Sequence, residues 1–84
     1  MSLIEKIVNQ KLNRMTKEEL LKLAKKHQIS ITDQQAEQVV QQIRGKNINI
    51  FNSTERTQLI KKIAKITSPE VARKVNKLFQ EALG

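Results

Sequence analysis

The sequence predicts an all-α fold, a compact single domain over residues 1–84 made of about five short helices and two short extended Ile-x-Ile connectors. Three observations carry that expectation. A Ser, Thr or Asn is followed three residues later by Glu or Gln at Ser2/Glu5, Thr16/Glu19, Thr32/Gln35, Asn52/Glu55 and Thr67/Glu70. This is the spacing of a capping box, or of its Asn analogue, in which each partner satisfies an orphan backbone N–H of the first helical turn. Each pair opens a segment with helical apolar periodicity. Met15/Leu20, Ile31/Ala36 and Ile66/Val71 also fit the hydrophobic staple that accompanies such caps.

Taken in order, helix one carries Leu3, Ile4, Ile7, Val8 and Leu12 on one stripe and stops at Asn13. Helix two has Leu20, Leu21, Leu23 and Ala24, with His27 at its end, where an imidazolium suits the carbonyl end of the helix dipole. Helix three has Ala36, Val39, Val40 and Ile43, followed by Gly45 where a left-handed residue is wanted. Helix four has Leu59, Ile60, Ile63, Ala64 and Ile66. Helix five, with Pro69 in its first turn, has Val71, Ala72, Val75, Leu78, Phe79, Ala82 and Leu83, the broadest apolar face, and so is expected to be central. The connectors Ile29-Ser-Ile31 and Asn47-Ile-Asn-Ile-Phe51 alternate apolar and polar residues, as extended straps do when they press isoleucines onto a core. The second strap has two readings: an interaction loop exposing Ile48, Ile50 and Phe51, or buried isoleucines alternating with exposed asparagines.

Composition narrows function. There is no cysteine, hence no disulfide framework or thiolate metal site, and a reducing, cytoplasmic setting is expected. The N-terminus lacks the apolar run of a signal peptide, and no apolar stretch is long enough to span a bilayer. His27 is the only histidine, and six of the eight acidic residues fall in first turns, where capping and the helix dipole account for them. With Gly45 and Gly84 the only glycines, no phosphate-cradling loop exists. These absences predict a protein that is not an enzyme and needs no cofactor or metal.

Sixteen Lys and Arg against eight Asp and Glu give a formal charge of +8, which attracts polyanions. Twelve of the sixteen are lysine, which with the many Asn, Gln and Ile is also what an AT-rich genome writes. The cations concentrate in two segments that repeat one pattern: Lys61, Lys62 and Lys65, then Arg73, Lys74 and Lys77. On a wheel begun at Leu59 or Val71, these lie at about 200–300°, opposite the apolar face. They make a polyanion-binding surface if both stripes share one side, and solvated helix faces if they do not. Six phosphate contacts would give a log–log salt slope of about −5 on duplex DNA.

A DNA-reading helix-turn-helix from helices two and three is disfavoured. Gln28 stands where that unit usually has glycine, and helix three offers Asp33, Glu37 and glutamines where phosphates demand cations. The basic helices are each expected to join a core, so a membrane partner is not expected. A protein partner or homo-oligomer fits better, because five short helices leave some apolar faces incompletely covered, and helix one, set apart by Asn13-Arg14, is a candidate to pack on a second copy.

The segments Ile7-Val-Asn-Gln-Lys11, Ile31-Thr-Asp-Gln-Gln-Ala-Glu37, Gly45-Lys-Asn-Ile-Asn-Ile-Phe51 and Ile63-Ala-Lys-Ile-Thr-Ser-Pro69 resemble a small family of uncharacterised, helical, cytosolic proteins of Gram-positive bacteria, a domain of unknown function. The resemblance covers the whole chain and brings no functional residues. The combined expectation is a non-enzymatic interaction or scaffold module, with sequence-independent nucleic-acid binding through the last two helices as the alternative.

Overall fold

The computed structural model describes residues 2–83; the side chains of Ala82 and Leu83, assigned above to the apolar face of helix five, lie outside the described residues. The helices are α1 (Leu3–Asn13), α2 (Lys17–Lys26), α3 (Asp33–Ile43), α4 (Ser53–Ile66) and α5 (Pro69–Leu83). No strand occurs among the described residues, and the second connector is not extended throughout as expected: Asn47 takes a left-handed φ of 54°, and residues 50 and 51 lie in a turn that the Asn52 N–H closes on the Asn49 carbonyl at 3.1 Å.

Three starts are complete capping boxes: Ser2 with Glu5, Thr16 with Glu19 and Thr32 with Gln35. At α4 the box is half made. Asn52 Oδ1 accepts from the Glu55 N–H at 3.0 Å, but the Glu55 carboxylate accepts from the Asn49 N–H at 3.3 Å instead of from the cap. At α5 the expected Thr67/Glu70 pair is corrected. Proline disfavours helical backbone in the residue before it, so the cap falls one position later, on Ser68, whose Oγ accepts from the Val71 N–H at 3.1 Å. Thr67 instead donates its hydroxyl to the Ile63 carbonyl at 2.6 Å, and with this shift Ile66/Val71 leaves staple register.

The end of α2 is a Schellman turn without glycine. The Ile29 N–H reaches the Ala24 carbonyl at 2.7 Å, the Gln28 N–H reaches Lys25 at 3.3 Å, and Gln28 takes the left-handed φ of 59°. Ile29 and Ala24, the apolar pair that accompanies such a turn, are both buried. Gly45 ends α3 with φ 74°, and its N–H donates to the Asn13 carbonyl at 3.2 Å.

Packing is serial: α2 on α3, α3 on α4, α4 on α5. The core gathers Leu12, Val39, Ile43, Ile50, Leu59, Ile63 and Ala72. The central helix is α3, which buries Ala36, Val39, Val40 and Ile43, and not α5, where Ala72 is buried while Val71, Val75, Leu78 and Phe79 stay half-buried. The broad face of α5 covers α4 along one edge and an internal gap along the other. The radius of gyration is 11.8 Å.

Candidate functional site

The strap between α3 and α4 is gripped by side chains through its backbone. Asn13 Oδ1 accepts from the Ile48 N–H at 3.1 Å while its Nδ2 donates to the Ile48 carbonyl at 3.2 Å, so one amide serves Ile48 as a neighbouring strand would. Asn9 Oδ1 accepts from the Ile50 N–H at 3.2 Å and its Nδ2 donates to Asn49 Oδ1 at 2.9 Å. Asn49 Oδ1 also accepts from the Phe51 N–H at 3.0 Å, and Arg56 of α4 donates to the Ile50 carbonyl at 3.1 Å. Backbone polar groups this close to the core must be paired, and these amides pair them.

That grip settles the strap's side chains. Ile50 is 2% exposed, and Ile48 and Phe51 are half-buried against the core. An interaction loop exposing all three is therefore corrected, because the backbone is pinned with Ile50 pointing inward. The complementary expectation needs adjustment too: Asn47 is exposed, but Asn49 is half-buried and bonded. The sequence pattern gives Asn9 no role, makes Asn49 an exposed strap residue and marks Asn13 only as a stop. The i, i+4 spacing of Asn9 and Asn13, which puts both on one side of α1, is the signal that marks them.

Because α1 turns its asparagines inward, much of its apolar stripe faces out. From Leu3, Asn9 and Asn13 fall at about 240–280° and Leu12 at about 180°, whereas Leu3, Ile7 and Ile4 span about 0–100°. The outer residues are correspondingly exposed: Leu3 at 73%, Ile4 at 72% and Ile7 at 52%. The single apolar stripe expected for helix one is thus divided, with Val8 and Leu12 packed inward. Lys11 and Arg14, at about 80° and 20°, continue the outer side, and both share a groove with Ile7. The face is aliphatic in its first half and cationic in its second.

All six candidate polyanion residues, Lys61, Lys62, Lys65, Arg73, Lys74 and Lys77, are exposed. The structure brings Lys74 and Lys77 into one groove with His27, Gln28 and Glu81, and no lysine of α4 lines that groove. Lys74 Nζ donates to the Gln28 carbonyl at 3.5 Å and lies 3.8 Å from the Glu70 carboxylate. Lys74 and Lys77 thus lie toward the end of α2, and Arg73 does not line that groove.

Elsewhere Lys17 and Asp33, the first residues of α2 and α3, pair at 3.0 Å. The Asp33 carboxylate, by hydrogen bond and by charge, raises the Lys17 pKa above the ordinary lysine value. No group of three His, Cys, Asp or Glu that could hold a metal occurs among the described residues. Among them, too, no helix is long and apolar enough to cross a membrane.

Fold and surface together define a small, basic, all-α domain with a side-chain-gripped strap and an outward apolar helix face. The chain belongs to the family described as protein of unknown function DUF2624, which matches residues 1–83. It is also similar to the uncharacterized protein YqfT of Bacillus subtilis (strain 168), 46% identical over 81 residues that cover 96% of each chain. No solved structure matches it.

Proposed function

We propose that the chain is a cytoplasmic, non-catalytic interaction module that docks the outer face of α1 onto an apolar, acidic surface of a partner protein. The observation that carries this is the inversion of α1. A helix on a small domain ordinarily turns its apolar residues in, and here Asn9 and Asn13 take the inner side while Leu3, Ile4 and Ile7 stand in water. Clustered exposed aliphatic residues mark contact surfaces. Lys11 and Arg14 on the same side, with Lys6 at its rim, favour an acidic partner over a second copy, which would bring the same cations together. The face has no aromatic residue and is only about three turns long, which favours a protein over a bilayer surface. The cysteine-free composition supports the cytoplasmic placement.

The test is a photo-crosslinking amino acid at Ile7, with Gln38 as control position, in extract of the cell that makes the protein. We expect discrete protein adducts from Ile7 only, lost when Lys11→Glu and Arg14→Glu are introduced. Adducts to a second copy, transfer to anionic vesicles, or equal adducts from Gln38 would overturn it.

Nucleic-acid binding through α4 and α5 is supported as a second reading by the exposure of all six cations, of which only Lys74 has a carboxylate within ion-pair reach among the described residues. Titration of duplex and single-stranded nucleic acid at ~50 and ~200 mM salt decides it, since a polyanion binder loses orders of magnitude between them. No binding at the lower salt eliminates this reading.

A further inference from the structure

Serial packing leaves α2 and α5 facing each other across a cavity of about 90 Å³ at the middle of the fold. Leu20, Leu23 and Ala24 form one wall and Val71, Val75 and Phe79 the other. Thr67 supplies the one hydroxyl in the lining, and that hydroxyl is committed to the Ile63 carbonyl. A space lined this way offers water few partners and favours apolar occupants. Leu23, 41% exposed, marks the rim.

Ile29 and Leu78 line both this cavity and the groove that holds Lys74 and Lys77, so the apolar space and the two ammonium groups adjoin. Lys74 is held there by the Gln28 carbonyl at 3.5 Å. We propose that this site binds an aliphatic carboxylate, the end of an unbranched alkyl chain entering the cavity and the carboxylate lying between Lys74 and Lys77. The chain chemistry follows from the volume, which is smaller than the ~150 Å³ apolar cavity known to hold benzene and so favours a narrow chain over a ring. The head chemistry follows from the cations: a carboxylate competes there with Glu70, 3.8 Å from Lys74, and with Glu81 in the same groove. This site is separate from the α1 face and stands or falls independently of it.

The test is amide NMR titration with butanoate, hexanoate and hexan-1-ol. Saturable shifts are expected at Leu23, Ala24, Val75 and Leu78, with hexanoate binding about five- to tenfold more tightly than butanoate for its two extra methylenes. The Lys74→Gln/Lys77→Gln pair, both exposed, is expected to weaken hexanoate roughly two- to fivefold per lysine at low salt while leaving hexan-1-ol unchanged. Val75→Phe, which fills the cavity, is expected to abolish binding of all three; should that variant not fold, the lysine pair still decides. Equal affinity for butanoate and hexanoate would overturn the cavity, and a lysine pair that leaves hexanoate unchanged would overturn the carboxylate.

Discussion

Asn13 holds the Ile48 N–H, the Ile48 carbonyl and the Asn9 carbonyl with one amide. Its replacement by alanine takes the partner from the Ile48 N–H and carbonyl, at about 1–3 kcal/mol, while the Asn9 carbonyl keeps its helical bond from the backbone N–H of residue 13. Urea denaturation of Asn13→Ala should show that loss. Asn13→Asp should recover only part of it, because a carboxylate accepts from the Ile48 N–H but cannot donate to its carbonyl. Gln28 presents the opposite case: its left-handed φ of 59° is a conformation that glycine adopts at little steric cost. Gln28→Gly should therefore stabilise the chain by about 0.5–1 kcal/mol, read as a higher thermal midpoint, because the bonds of the turn are all backbone. Neither residue declares its role in sequence. Asparagine near a helix end reads first as a stop, and a turn that ordinarily takes glycine is masked when a glutamine fills it.

At the scale of elements, helix number, order and most starts were legible, because capping boxes and the 3.6-residue period are local chemistry that tertiary packing here leaves intact. The α5 start was misread by one residue for an equally local reason, the restraint that Pro69 places on Ser68. Ser68→Ala should cost about 1 kcal/mol in thermal or urea unfolding, whereas Glu70→Ala, which removes an exposed carboxylate 3.8 Å from Lys74, should change little. A loss from Glu70→Ala with none from Ser68→Ala would restore the Thr67/Glu70 cap. The central rank given to α5 failed because apolar breadth reports how many apolar surroundings a helix meets, not how deeply it lies. The Lys17–Asp33 pair joins two helix starts and gives a pH signature. The Lys17 pKa is raised in the folded chain, so the pair's contribution is complete below the ordinary lysine value of 10.5 and is lost as pH rises through the raised value. The thermal midpoint should fall across that alkaline range in the native chain, and fall less in Lys17→Met.

For the whole molecule, α2 to α5 form a serially packed unit, and α1 is tied to it through Leu12, Val8 and the amides that grip the strap. The orientation of α1 was the least legible feature. Its apolar period admits either side as the inner one, and the choice is made by partners some forty residues away at Ile48 to Ile50. The relation between the two basic stripes was likewise beyond sequence, since the two-residue corner at Thr67 and Ser68 sets where Lys74 and Lys77 point. The functional reading rests on the outward face of α1, and thermal unfolding of Ile4→Glu/Ile7→Glu tests that orientation without any partner. Exposed substitutions ordinarily stay within about 0.5 kcal/mol, so the double variant should keep the native midpoint to within a few degrees. A loss of several kcal/mol, the cost of burying two unpaired carboxylates, would show that this face is part of the core and contradict the account.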